Sequence, residues 1–181
     1  MIVDPEITDI LSQFDTTQFE DDVFRATAET IIDPLAPSRN GGRWIPRDES
    51  PVLYTSCERE GALAEVSYHL AQHTPLPSKP ISLHRISVTT QNTMRLIIAD
   101  LEKLGVEENL YDSINYQMTQ KIGSAVNFLG YDGLIVPSAR WNCENLIIFS
   151  DHHPLDNDLK LVDGEVVDWV SWAQENGFLD K

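Results

Sequence analysis

Five side chains that could serve one catalytic site occur in a fixed order along the chain: Arg25, Arg43, Tyr54, Glu65 and Ser138. Tyr54 lies eleven positions after Arg43, and Glu65 lies eleven positions after Tyr54. A guanidinium fork matches the oxygens of a phosphate, and an aromatic ring can stack on a flat ligand. A glutamate can stabilise positive charge that develops during a reaction, and a serine hydroxyl can orient that carboxylate. These residue types therefore suit a phosphate-bearing substrate whose reaction passes through a cationic state.

Taken one at a time, the first three segments have ordinary explanations. Arg25 follows Val-Phe on the predicted strand at residues 23–26, where it could simply reach solvent. The segment GGRW at residues 41–44 could be a plain turn, although a glycine such as Gly42 also lets backbone approach a ligand closely. Tyr54 lies in a short apolar segment, where a tyrosine usually belongs to the core.

Glu65 and Ser138 are equally open when considered alone. On the predicted helix the apolar stripe contains Leu63, Val66 and Leu70, and at 100° per residue Glu65 points away from it. Periodicity alone therefore favours a solvent-exposed glutamate. Ser138 lies in no GxSxG turn and has no paired base, so an orienting role suits it better than a nucleophilic one.

Together the segments resemble the RES domain, a family named for its Arg, Glu and Ser. The resemblance covers residues 24–153 or so. One departure is Ile45, where family members commonly have Asn. The matching segments are FRA at 24–26, GGRW at 41–44, PVLYTSCEREGALAE at 51–65 and VPSA at 136–139.

The resemblance implies a fold and an activity. The expected fold is α+β, a single compact domain with a mixed, split β-sheet similar to ADP-ribosyltransferase toxins. The expected activity is that of a toxin in a toxin–antitoxin pair, an NAD phosphorylase or NAD glycohydrolase that cleaves the nicotinamide–ribose bond. NAD is then the substrate, inorganic phosphate a co-substrate in the first case, and an Xre-like antitoxin the partner.

The resemblance also assigns roles to the residues. Arg25, Glu65 and Ser138 would be catalytic, and Gly42, Arg43 and Tyr54 would bind substrate. The helix face that carries Gly61, Glu65 and Tyr68 would then line a cleft. No further cofactor and no metal are expected.

Two other functions compete with this one. An ADP-ribosyltransferase acting on a protein usually has a second carboxylate near the catalytic one, and only Glu58 and Glu60 on the preceding turn offer it. A catalytically silent interaction domain would be favoured if one of the five residues were missing, and all are present. The sequence leaves open hydrolysis against phosphorolysis, and whether the chain forms a homo-oligomer.

Composition limits the remaining classes. The 181 residues fit one domain, which we place at 1–181 with its motifs at 22–153. Twenty-nine acidic against 13 basic residues give a formal charge of −16, which argues against direct nucleic-acid binding. That charge serves solubility or faces a basic partner. With no 18-residue apolar stretch and no signal peptide, we expect a cytoplasmic protein outside the membrane.

Metal and disulfide sites are not expected either. Cys57 and Cys143 cannot form a disulfide framework. The adjacent pair His152 and His153 would rarely ligate one metal together.

Apolar patterning predicts alternating strands and helices around these motifs. Residues 33–51 and 137–145 are expected to be loops, and residues 93–104 are ambiguous. The predicted strands are 23–26, 52–55, 81–90, 134–136, 146–149 and 159–167, the last as a strand or hairpin. The first predicted helix lies within residues 1–20. The second is capped by Thr55 or Ser56, with Thr55 and Glu58 fitting a capping box, and runs to about residue 72. The others lie at 113–129, before Gly130, and at 169–176. The short first helix and the C-terminal extension are expected to pack on the domain.

Overall fold

A mixed sheet of six strands forms the centre of the molecule in the computed structural model, which describes residues 3–180 apart from the side chain of Asn157. The strands are β1 (Thr16–Ala28), β2 (Val52–Ser56), β3 (Ile81–Arg95), β4 (Gly133–Pro137), β5 (Glu144–Phe149) and β6 (Leu159–Val167).

The six strands divide into two groups. β3 lies between β1 and β6 and is antiparallel to both, while β5 lies between β2 and β4 and is antiparallel to both. The groups are joined where the end of β3 runs parallel to β4, and at a single pair between Phe24 of β1 and Ser56 of β2. This mixed, split sheet in an α+β domain agrees with the predicted fold class.

Helices cover the sheet on two sides. They are α1 (Pro5–Leu11), α2 (Arg59–Leu70), α3 (Ile98–Lys103), α4 (Gln117–Phe128), α5 (Leu155–Asp158) and α6 (Trp169–Glu175), with a 3₁₀ turn at Glu108–Leu110. Leu11 of α1, Leu101 of α3 and Ile122 of α4 share one core cluster with β4 and β5. Leu63 of α2 and Trp169 of α6 share another with the start of β3. Within residues 3–180 none of these helices is long and apolar enough to cross a bilayer.

The first strand is much longer than the sequence predicts. The helix expected within residues 1–20 ends at Leu11, β1 begins at Thr16, and residues 1 and 2 lie outside the described part. The start of β1 is polar and mostly exposed, so no apolar alternation marks it. Its backbone is nevertheless paired with β3 from Thr16 onward, and that pairing decides its conformation.

Two predicted helix starts are wrong. α2 begins at Arg59 after Glu58, and neither Thr55 nor Ser56 caps it, because both still belong to β2. The Thr55 hydroxyl donates to Leu146 O instead. The helix expected from residue 113 begins at Gln117, and the carbonyl group of Ser113 before it accepts a hydrogen bond from Arg43. Gly130, with φ of 84°, follows the end of α4 as predicted.

Candidate active site

A cleft of about 370 Å³ opens beside the point where β1 and β2 diverge, and its size is within the range of small-molecule sites. β1, β2, β5, α2 and the loop before β2 all contribute to its walls. The cleft brings together five of the six predicted site residues: Arg25, Gly42, Arg43, Tyr54 and Glu65. Ser138 is the sixth, and it reaches the site through Glu65.

Glu65 projects from α2 into the cleft and is held by two neutral donors. Its Oε1 accepts hydrogen bonds from Ser138 Oγ and from Asn145 Nδ2, each at 2.9 Å. Among residues 3–180 no donor bonds Oε2. The carboxylate is therefore fixed in orientation, while one of its oxygens keeps its capacity to accept.

Ser138 is arranged as an orienting group. Its hydroxyl oxygen accepts from the backbone N–H of Arg140 at 3.1 Å and of Trp141 at 3.3 Å. These bonds occupy the lone pairs, so the hydroxyl proton is directed at Glu65. A hydroxyl directed at Glu65 suits the orienting role predicted from the sequence, which stays a prediction.

The helix around Glu65 departs from the simple amphipathic pattern. Gly61 packs so closely on Ser56 and Cys143 that a Cβ there would overlap their side chains. Tyr68 lies under the guanidinium of Arg140 instead of lining the cleft, so the predicted cleft face of α2 is wrong for Gly61 and Tyr68. Ala62, Val66 and His69 line the cleft with Glu65. Because α2 is covered on most sides, the apolar stripe alone could not locate the ligand-facing side.

Arg43 lies at one side of the cleft and binds the protein's own backbone. Its Nη1 donates to Tyr111 O at 2.5 Å and its Nη2 to Ser113 O at 3.2 Å. The guanidinium also lies 4.6 Å from the ring centre of Tyr116, which lines the cleft, in cation–π geometry. Arg43 therefore fastens residues 111–116 to the cleft wall.

Tyr54 holds the loop that carries Arg43. Its hydroxyl oxygen accepts from the backbone N–H of Trp44 and of Ile45, both at 3.2 Å. Burial raises the pKa of Tyr54 to about 12, so the hydroxyl is neutral near pH 7. A Cβ on Gly42 would lie 2.9 Å from the Tyr54 ring, so this close approach requires glycine. Ile45 is fully buried in the core, which accounts for an apolar residue at that position.

Arg25 projects from β1 into the other side of the cleft. Its Nη1 donates to Pro34 O at 2.9 Å and to Ala36 O at 3.1 Å. Burial lowers the pKa of the guanidinium, and the nearby carboxylate of Asp33 opposes that shift. Like Arg43, Arg25 thus bonds to loop carbonyls and has other N–H groups left.

Four of the five motif residues thus line one cleft, and the fifth, Ser138, bonds to Glu65 there, in an α+β domain with a split sheet. The family model of the RES domain matches residues 22–169. The chain belongs to the RES domain family.

Solved structures contain the same fold. Seven chains match this RES domain. One belongs to the crystal structure of the M. tuberculosis MbcT–MbcA toxin–antitoxin complex, with 22% identity and a TM-score of 0.80 over 94% of this chain and 97% of that one. At this identity the likeness establishes the fold alone. A search of curated proteins found no match. The expected similarity to ADP-ribosyltransferase toxins stays a prediction.

Two polar residues of this RES domain, one bonded to Glu65 and one packed on the Glu65 helix, were not predicted from the sequence. Asn145 is the second residue of strand β5, and its amide donates to Glu65. Arg140 lies 3.3 Å from the ring centre of Tyr68, and its Nε and Nη2 are enclosed with no partner among the described residues. A polar residue directly before LIIF was the only available signal for Asn145. Arg140 carried none beyond its closeness to Ser138.

Proposed function

We propose that this RES domain cleaves the bond between nicotinamide and ribose in NAD. The observation that carries the proposal is the carboxylate of Glu65, oriented by Ser138 and Asn145 inside a cleft that also holds two arginines. A fixed anion of this kind stabilises positive charge best where it need not reorganise during the reaction.

The chemistry needs little acid–base help. When the C1′–N bond breaks, the nitrogen of the cationic nicotinamide ring takes the electron pair and leaves neutral, so the positive charge moves to the sugar. Glu65 would face that sugar and lower the energy of the cation. Water then adds its oxygen to C1′ and releases a proton, giving ADP-ribose. Inorganic phosphate would instead give the 1″-phosphate of ADP-ribose.

The other predicted residues fit supporting roles. Tyr54 and Gly42 form part of the cleft wall, on which a flat ring can lie, and only glycine fits this closely against the Tyr54 ring. Arg25 and Arg43 bring positive charge to the cleft of a chain whose formal charge is −16. Their remaining N–H groups can donate to phosphate oxygens, while the bonds to loop carbonyls keep each guanidinium in place.

The protein-modifying transferase gains less support. Glu60 pairs with Arg59 at 3.1 Å and Glu58 is exposed at the start of α2, and neither lines the cleft. A second carboxylate directed at the same ligand, which such an enzyme would use, is lacking in the described cleft.

Incubation of the pure chain with NAD tests the proposal. Chromatography should detect nicotinamide together with ADP-ribose without phosphate, or its 1″-phosphate when phosphate is present. The preparation must be free of co-purified protein, since a bound inhibitor would mask activity. If folded, free chain releases no nicotinamide under either condition, the proposed chemistry is wrong.

A toxin role is the biological part of the proposal. The likeness to a chain of a toxin–antitoxin complex supports it. The partner would be an Xre-like antitoxin, a small protein that inserts a segment between the Arg43 loop and the Glu65 helix, with basic residues facing the acidic surface. Expression of the chain alone should arrest growth, and both the neighbouring reading frame and Glu65→Gln should relieve the arrest. Unimpaired growth with well-expressed soluble chain would remove the toxin role without touching the NAD chemistry.

A further inference from the structure

Half of the Asn145 amide is unused. Its Nδ2 donates to Glu65 Oε1 at 2.9 Å, and an ionised carboxylate can only accept. The NH₂ group must therefore face Glu65, and the opposite amide orientation is excluded. Oδ1 consequently makes no bond to Glu65, and it is enclosed with no donor among the described residues.

A buried acceptor without a donor is uncommon and unfavourable. Asn145 is also held rigidly, because its backbone pairs with Ser56 of β2 and with Val136 of β4. The side chain lines the cleft, and a ligand there can reach Oδ1 once the contacts that enclose this atom are displaced. A donor supplied by the ligand would therefore give Oδ1 of Asn145 the hydrogen-bond partner that it lacks.

The position of Oδ1 indicates which donor that is. Both amide atoms belong to one planar group, so Oδ1 lies beside the Glu65 carboxylate. In the reaction proposed above, the group beside Glu65 is the ribose that becomes cationic. That sugar offers neighbouring 2′ and 3′ hydroxyls, and the wall offers two neighbouring acceptors without donors, Glu65 Oε2 and Asn145 Oδ1.

We propose that Asn145 binds substrate, accepting a hydrogen bond from a hydroxyl of the nicotinamide ribose through Oδ1 while Nδ2 holds Glu65. The inference rests on the proposed NAD cleavage and adds the basis of sugar specificity to it. One residue then couples recognition of the sugar to the orientation of the carboxylate. A sugar that lacks this hydroxyl leaves the buried acceptor unpaired and is rejected.

The test compares kcat/KM for NAD with kcat/KM for two analogues that lack the 2′ or the 3′ hydroxyl of the nicotinamide ribose. In the parent, one analogue should be poorer by about tenfold or more. Asn145→Ala should reduce that preference to about twofold or less. Taking the ratio between variants cancels the intrinsic reactivity of each analogue.

Three variants separate sugar recognition from support of Glu65. Ser138→Ala removes the other bond to Glu65 Oε1, so it should slow all substrates and keep the preference. Asn145→Asp keeps an acceptor toward the sugar and should keep the preference at a lower rate. Asn142→Ala, at an exposed asparagine in the loop just before β5, should behave like the parent.

Two results would overturn the inference. One is an Asn145→Ala enzyme that discriminates against both analogues as strongly as the parent. If Asn145→Ala does not fold, an Asn145→Asp enzyme that has lost the preference would overturn the inference instead. The other is a parent that accepts both analogues as well as NAD. A parent that releases no nicotinamide contradicts the proposed function instead. Equilibrium binding of unreactive carbocyclic NAD, with and without each hydroxyl, then tests the Asn145 contact on its own, and equal affinities would reject it.

Discussion

The two walls of the cleft use their polar side chains in opposite ways. On the Glu65 wall, made of Glu65, Ser138 and Asn145, side chains bond to one another and leave acceptors without donors. On the Arg43 wall, made of Gly42, Arg43 and Tyr54, the arginine and tyrosine bond to backbone N–H and C=O groups. The first wall keeps bonding capacity for a ligand, while the second uses it to fix the shape of a loop.

This difference separates chemistry from scaffold among residues of one motif. A group that orients a catalytic carboxylate should affect the rate more than folding. A group that closes a loop through backbone bonds should affect folding more than the rate, because its loss leaves backbone groups without partners. Substitutions on the two walls therefore test the comparison directly.

Glu65→Gln should have the largest effect. Gln keeps an oxygen that can accept from Ser138 and Asn145 but removes the negative charge, so kcat should fall by about 10²–10³. The free energy of unfolding should hardly change, since the swap leaves packing intact. Nicotinamide release and thermal unfolding measure the two quantities. Full turnover by a folded variant would mean that the charge of Glu65 takes no part in the reaction. The two walls would then not differ in function.

Ser138→Ala should lower the rate next most strongly. It removes a hydrogen bond to a charged group, which is worth about 1.5–3 kcal/mol, or about 10- to 100-fold in kcat if the orientation is lost. The exposed Ser87 of β3 provides a matched Ser→Ala control. A fall in stability with kcat unchanged would place Ser138 with the scaffold, since its oxygen also accepts two backbone N–H groups.

The buried strands and the order of the site residues could be predicted from the sequence. β4 and β5 are almost continuously apolar because both of their faces are covered, and α4 ends at a glycine with positive φ. The start of β1 gave no such signal, since its side chains face solvent and its pairing with β3 involves residues far away in sequence. The local sequence pattern reflects which residues are buried, whereas the pairing of strands depends on tertiary structure.

The cleft was predictable as a set of residues but not as a set of bonds. The carbonyl groups that Arg43 binds are 68 and 70 residues further along the chain, and no local feature near Arg43 indicates them. Asn145 is separated from Glu65 by 80 residues and joins it only because β5 lies beside β2 and α2 crosses above. The roles of motif residues depend on these long-range contacts.

Arg43→Lys should reduce the free energy of unfolding by about 1–2 kcal/mol. Lysine lacks the planar fork whose two nitrogens now donate to one carbonyl group each, so the attachment of residues 111–116 is weakened. Weaker NAD binding should accompany this loss and worsen with salt. Arg39→Lys, at an exposed arginine of the same loop, is the control. If stability is unchanged and only KM rises, Arg43 is a phosphate-binding residue first, and the Arg43 wall is no mere scaffold.

Tyr54→Phe should have the smallest effect, about 1 kcal/mol in the free energy of unfolding. The ring and its contact with Gly42 remain, while the backbone N–H groups of Trp44 and Ile45 lose their common acceptor. Each of those bonds is long, at 3.2 Å, which keeps the expected cost near the lower end for buried groups. Tyr131→Phe is the matched control, since the Tyr131 hydroxyl bonds no described residue and its ring packs on the same core. Chemical denaturation of the three proteins measures the differences, and nicotinamide release should stay within about threefold of the parent. A Tyr54→Phe enzyme that is as stable as the parent but more than tenfold slower would mean that this hydroxyl acts on the substrate, and the Arg43 wall would then share in the chemistry that the comparison assigns to the Glu65 wall.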